Sequence, residues 1–308
     1  MDKDQLHRLG PALDQFLECF AGCAVAPTRR LIATYVRGQL GALPRKSVKP
    51  MAIEAGIPPR TLQELLSLHR WDEDLLIALL QRRVRSAHPG AQVLGILFET
   101  RCVKKGDRTP GVARQASESA SRPRNCVVLT HLAVSDGDFA CLLDSAIYLP
   151  QSWADDGGRR AAAGVPPEVR YRSKGRIASD FLRRAEANGL VLGRLVLPAE
   201  YAVDGGMAEA LGRNGRSHAA WPSFENPEQV LAAGLSEETR RQLLRVGTDA
   251  RHAIEARMGE IGLDHFEVRT YRSLTRHLAL SAASLLFLAE QTDRLRRERG
   301  SLPIRSHA

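Results

Sequence analysis

Residues 93–115 read VLGILFETRCVKKGDRTPGVARQ. Val93 to Phe98 is an apolar run of strand length, and the polar, glycine-containing KKGDRTPG that follows has the composition of a loop. What lies on either side of this stretch decides the fold. Downstream, Asn125–Val134 (NCVVLTHLAV) and Phe139–Leu149 (FACLLDSAIYL) are two more strand-like segments. The SDGD between them is a hairpin signal, so they are expected to pair antiparallel. A polar loop over 150–172, containing Trp153, leads to an amphipathic helix over Lys174–Asn188, with Ile177, Phe181, Leu182 and Ala185 on one face. Gly189 ends that helix. Leu190–Leu197 reads as a strand, Asp204–Leu211 as a short helix and Ser217–Trp221 as a last short strand.

Two long helices close the chain, Ser236 to about Met258 and Ser273 to about Arg299. Ser236 is placed to cap the first, and Glu237 and Glu238 suit its positive N-terminal end. The order of strand, strand, strand, helix, strand, helix, strand, then long helices predicts an α/β fold. It is that of an RNase H-like mixed sheet flanked by helices.

Upstream of residue 93 the pattern is helical throughout. Apolar residues recur at helical spacing over Pro11–Ala24, and Thr28 can open a second helix through Tyr35 and Leu40. Met51–Ala55, the Gly56 turn and a Pro58- or Pro59-opened helix over Arg60–Leu68 trace a helix-turn-helix outline. An ordinary helical hairpin has the same outline. SAHPGAQ (86–92) reads as a linker, so an all-α domain over residues 1–88 is expected before a core over 89–308.

The chain carries 44 Lys+Arg against 35 Asp+Glu, a net charge of +9. A basic excess of this size suits a polyanionic partner such as nucleic acid. Cys19, Cys23, Cys102, Cys126 and Cys141 form no CxxC pair, and the histidines lack metal-site spacing, so reduced thiols in a cytoplasmic protein are expected. No apolar stretch is long enough to span a membrane.

Five stretches resemble one family: RKSVKPMAIEAGIPPRTLQELLSLHRWDED, ETRCVKKGDRTPGVARQ, LPQSWADDGGRRAAAGVPPEV, LVLPAEY and GTDARHAIEARMGEIGLDHFEVR. In this order they make the chain similar to the DDE-type transposases of bacterial insertion sequences, over almost its whole length. The resemblance implies DNA cleavage and joining by divalent metal, Mg²⁺ or Mn²⁺, held by two aspartates and a glutamate. The first aspartate would end the first strand, where this chain has Phe98. The second would lie three residues before Tyr201, where it has Pro198. The glutamate corresponds best to Glu255, in HAIE, with Glu260 as the alternative. The strand-rich insertion that such transposases carry before the glutamate helix is reduced to NPEQVLAAGLSEETRR.

With both aspartates replaced, no cofactor is expected, and the resemblance implies a catalytically inactive DNA-binding protein, used in regulation or in occupying a terminal inverted repeat. Its expected partners are double-stranded DNA and a second copy of the chain, without a membrane. DNA contacts are expected at Arg45, Lys46, Lys49 and Arg60 in the helical segment, and at Lys104, Lys105 and Arg108 beside the former active site. Two alternatives remain open. One is an active metal-dependent transposase or endonuclease using Glu99, Glu200 and Glu255, although alternation along a strand turns Glu99 away from Phe98. The other is an interaction module that pairs with or inhibits a relative.

Overall fold

The structure, a computed structural model, describes residues 3–88, 93–117, 120–212, 215–221, 232–233 and 235–300. The first segment forms helices α1 (Lys3–Glu18), α2 (Ala26–Leu40), α3 (Val48–Glu54), α4 (Pro59–Ser67) and α5 (Glu73–Ala87). The first helix starts earlier than the apolar spacing predicts and contains Pro11. Gly56, with φ +66°, makes the turn between α3 and α4 that few other residues would accept. Asp72 caps α5 by accepting from the amide of Leu75 at 2.8 Å. Four residues of the expected linker, 89–92, lie outside the described residues.

Seven strands form one sheet: β1 (Leu94–Val103), β2 (Ala113–Ser117), β3 (Ala120–Ser135), β4 (Ala140–Ile147), β5 (Arg194–Pro198), β6 (Ser217–Trp221) and β7 (Ala232–Ala233). β3 pairs antiparallel with β1 and with β4, and β2 joins the first half of β3 on the β4 side. β5 runs parallel to β1, and β6 parallel to β5. Three antiparallel strands followed by two parallel ones, with helices between, is the RNase H-like arrangement. Leu94 to Phe98 are all buried, as a central strand covered on both faces requires.

Several strand boundaries depart from the sequence pattern for physical reasons. β1 runs on past Phe98, its expected end, to Val103, because β3 continues to pair with it as far as Cys126. β5 begins at Arg194, not Leu190, because Leu190 and Leu192 are buried in the connection that leaves α8 (Lys174–Ala187) and join no ladder. β2 is short and polar (ARQAS), so nothing in its own composition marks it. It is a strand because β3 extends back to Ala120 and offers a free edge. The loop expected over 150–172 contains two short helices, α6 (Gln151–Ala154) and α7 (Gly157–Ala162). α9 (Ala199–Ala202) and α10 (Gly205–Gly212) follow β5.

The long helices are α11 (Glu237–Glu260) and α12 (Tyr271–Gly300). The Ser236 hydroxyl caps α11 by accepting from the amide of Thr239. Gly247 lets α11 approach β5 closely, since a Cβ there would lie 3.1 Å from the Val196 side chain. α12 packs on β4 and on α2, α4 and α5, so one hydrophobic core runs from Leu13 to Ala289 across residue 88.

Polar side chains on α12 find their partners in the helical layer. Gln39 donates to Ser281 and accepts from Ser284, both at 2.8 Å. The fully buried Arg276 donates to the carbonyls of His69 and Trp71, pairs with Glu73 at 3.2 Å, and lies over the Trp71 ring. Tyr35 Oη and the Leu263 carbonyl lie 2.8 Å from the two ring nitrogens of His277. Satisfying each buried polar group in this way ties the helical layer to the core in one register. No helix among the described residues is long and apolar enough to cross a membrane.

Candidate nucleic-acid interface and the cleft at the end of β1

Two concave regions contain the residues singled out by the sequence. The first is a cleft of about 310 Å³ where the C-terminal end of β5 meets the second half of β1. It brings Phe98 and Pro198 together, the two positions expected to carry metal-binding aspartates. Facing them across the cleft are Trp221, Thr248 and Arg251. Strand alternation puts Ile96, Phe98 and Val196 on the face covered by α11, and Leu97, Glu99 and Leu197 on the face covered by α8 and α9.

Phe98 is 1% exposed and stacks on His131, with ring centroids 5.0 Å apart. His131 is itself buried, with Thr100 Oγ1 and Ser145 Oγ at 2.8 and 2.7 Å from its two nitrogens. Burial lowers its pKa to about 3, so it stays neutral. A neutral aromatic pair thus fills this part of the sheet face.

The remaining charged groups of the cleft are engaged with one another. Glu99 accepts from Lys174 Nζ at 2.8 Å and from the Tyr201 hydroxyl at 3.0 Å, and Arg101 lies 3.4 Å away. Arg251 stacks on the Trp221 ring at 5.1 Å, and Trp221 Nε1 donates to Thr248 Oγ1 at 3.0 Å. Glu200 is exposed at the rim.

The expected third carboxylate, Glu255, sits one helical turn beyond Arg251, 3.7 Å from its guanidinium, and does not line the cleft. Helical spacing explains this. The sheet-facing residues of α11 are Leu243, Gly247, Ala250, Ile254 and Met258. Arg251 falls at the edge of that stripe, about 40° round the helix from Gly247, and Glu255 about 40° further out. Glu260 ends α11 and is exposed. A divalent cation needs several oxygen ligands converging on one point. A phenyl ring, a proline, a guanidinium and a carboxylate already held by a lysine do not meet that need, and no metal-binding cluster of His, Cys, Asp or Glu occurs among the described residues.

The second region is a trough where the helical layer meets the core. Three adjoining concavities of about 790, 610 and 510 Å³ compose it, and all three include Arg269. Its walls are the chain around Arg45 to Lys49, the loop 104–109, and the segment 264–269 after α11.

The loop is held rigidly for so polar a stretch. Asn125 Nδ2 donates to the carbonyls of Lys104 and Gly106 at 2.8 and 2.9 Å. Arg159 donates to the carbonyls of Asp107 and Val112, both at 3.0 Å, while lying over the buried Trp153 ring. Trp153 Nε1 itself donates to Val112 at 2.8 Å. This gives LPQSWADDGGRR its purpose, since α6 and α7 buttress the loop.

The expected DNA-contact residues divide sharply here. Lys49, Lys105 and Arg108 are exposed in the trough, with no ion pair or side-chain hydrogen bond among the described residues. Arg45 lines it too, paired with Glu267. Two others are occupied by the protein. Lys104 Nζ donates to the carbonyls of Asp264 and Phe266 at 3.0 and 2.9 Å and rests 3.5 Å over the Phe266 ring. Lys46 is buried, and its ammonium donates to the carbonyls of Gln39, at 2.7 Å, and Glu260. It therefore neutralises the negative ends of α2 and α11, and its burial keeps it from a phosphate at the surface. Burial lowers the pKa of both lysines. Arg60 is exposed on α4, pairs with Glu64 at 2.7 Å and lies outside the trough.

Arg269 is not among the DNA contacts the sequence predicts, because nothing in GLDHFEVR marks its one arginine as exposed beside the loop 104–109. It is exposed, without a hydrogen bond or ion pair among the described residues. Seven Lys and Arg residues line the trough against three carboxylates, whereas the cleft has two arginines and two glutamates.

No curated protein shows significant similarity to the chain. The family model of the DDE superfamily endonucleases matches residues 15–220, from α1 through β6 and ending before the helix that carries Arg251 and Glu255. With this match over two thirds of the chain and an RNase H-like sheet behind both concavities, the protein belongs to the DDE superfamily endonuclease family.

Proposed function

We propose that this chain binds double-stranded DNA and does not cut it. What supports the reading is that Phe98 and Pro198, with the Arg251 guanidinium, line the cleft where the resemblance implies a convergent carboxylate set, while a separate trough is rich in unpaired cations. A carboxylate triad would hold two divalent ions and stabilise both the attacking and the leaving oxygen. An aromatic pair and a guanidinium supply neither water activation nor that stabilisation. The cations of the trough still neutralise phosphates, and this needs no metal. The alternative set of Glu99, Glu200 and Glu255 is disfavoured because Glu99 already accepts from Lys174 and Tyr201, and Glu255 lies outside the cleft.

The test has two arms. Titration of random duplex and of the gene's own flanking DNA across a salt series, in EDTA, is expected to give strongly salt-dependent binding. Incubation of supercoiled plasmid with Mg²⁺ or Mn²⁺ is expected to leave it uncut. Nicking that Glu255→Gln abolishes would overturn the proposal and establish the rearranged carboxylate site instead. Absence of DNA binding at low salt would overturn it in favour of a protein-interaction role.

A further inference from the structure

We infer that one DNA duplex lies along the trough and contacts the helical layer and the core together, with Arg269 as the phosphate-contact residue shared along its length. The inference rests on the DNA-binding reading above. Arg269 is the cation common to all three concavities. On one side of it lie Lys49 and the exposed Gln63 of α4, and on the other Lys105 and Arg108.

Each wall is fixed before a ligand arrives. The loop is clamped by Asn125 and Arg159, the Lys104 ammonium ties it to the segment carrying Arg269, and Arg45 and Lys46 tie that segment and the end of α11 to the helical layer. A binding surface whose supports are already bonded loses little freedom when it binds, so more of the electrostatic attraction appears as affinity.

Duplex is favoured over single-stranded nucleic acid because single strands are held by bases stacked on exposed aromatic rings. The aromatic residues lining the trough, Tyr35, Phe266 and Trp153, are all at most 4% exposed, and Trp153 is wholly buried. No platform for an unstacked base is available there, and the cations suit a regular phosphate backbone.

The test compares Arg269→Ala with Arg60→Ala by fluorescence anisotropy on a random duplex in EDTA, across a salt series. Arg269→Ala is expected to weaken binding about tenfold at low salt, and to flatten the slope of log affinity against log salt by about 0.9. Arg269→Lys is expected to keep the slope. Arg60→Ala is expected to change affinity less than about twofold, as its cation is already paired on a solvated face. Arg269→Ala with unchanged affinity, while the wild-type chain binds DNA, would overturn the inference alone. Equal losses at the two positions would also overturn it, since net charge rather than the trough would then govern binding. No binding by the wild-type chain would overturn the DNA-binding reading itself, and this inference with it.

Discussion

The cleft where β5 meets β1 and the trough at the helical junction use similar residues to opposite ends. Both contain arginine, acidic side chains and aromatic rings. In the cleft the charges cancel one another, with Glu99 between Lys174 and Arg101 and with Arg251 beside Glu255. In the trough the bonded cations, Arg45, Lys104 and Arg159, are spent on Glu267 or on backbone carbonyls, and this leaves Lys49, Lys105, Arg108 and Arg269 open to solvent. The cleft is thus internally satisfied, and the trough is the surface to which the binding proposal assigns the DNA. Charge count along the chain does not separate these two outcomes. What separates them is whether a neighbour has already answered each charge.

The sharpest way to break this contrast is through Phe98. Phe98→Ala removes a fully buried ring from the centre of the sheet and is expected to cost about 3–5 kcal/mol in denaturant unfolding. DNA affinity of the folded variant should stay the same. A cost below about 1 kcal/mol would mean that the ring is not core packing, and that the cleft is open to a ligand.

The reverse experiment is the triple variant Lys49→Ala, Lys105→Ala, Arg108→Ala. Affinity at low salt is expected to fall about a hundredfold, with a salt slope shallower by roughly 2.7, the value for three phosphate contacts. Thermal stability should be unchanged, because none of the three side chains is bonded. A stability loss without an affinity loss would merge the two regions into one.

Acid sharpens the cleft side. Burial holds His131 at a pKa of about 3 and His277 at about 4, far below the ordinary histidine value. Their neutral forms stabilise the fold fully above pH 6.5, and that contribution is lost as the pH falls toward their folded values. Buried Asp144 works the other way. Desolvation, opposed by Arg184, raises its pKa to about 6, so its charged form weakens the fold above that pH and protonation relieves it below. From pH 7 to pH 5 the two histidines outweigh the aspartate, and unfolding free energy is expected to drop by about 2–3 kcal/mol. Stability that rises over this interval would show that the histidines are charged in the folded protein.

The smallest effect expected is that of Lys46→Met. Two helix ends lose a buried donor, at a cost of about 1–2 kcal/mol by denaturant titration, with no change in DNA affinity. A loss of affinity with unchanged stability would return Lys46 to the DNA surface.

Much of this architecture is legible in the residues. The order of strands and helices, the SDGD hairpin, the capped start of α11 and the Gly56 turn follow from local chemistry that the chain carries within a few positions. Phe98 and Pro198 meet because each lies two residues past the Ile96–Val196 pair of adjacent parallel strands, Pro198 at the end of β5 and Phe98 midway along β1. β2 is not legible, because its polar sequence becomes a strand only through the edge that β3 presents. Nor is the exchange of Glu255 for Arg251 at the cleft. Both are polar residues one turn apart on α11, and the packing of that helix on the sheet, with Gly247 against Val196, decides which turn reaches the cleft.

The sequence alone thus determined the fold class, the family resemblance and the pool of basic residues, since periodicity, turn chemistry and motif order are local properties. The tertiary structure decided which of those cations are free. Arg45 meets Glu267, Lys46 meets the carbonyl of Glu260 and Lys104 that of Phe266, across more than 160 intervening residues in each case. A charge is engaged or open according to what folding brings opposite it, and partners so far apart in the chain leave no trace in its local pattern.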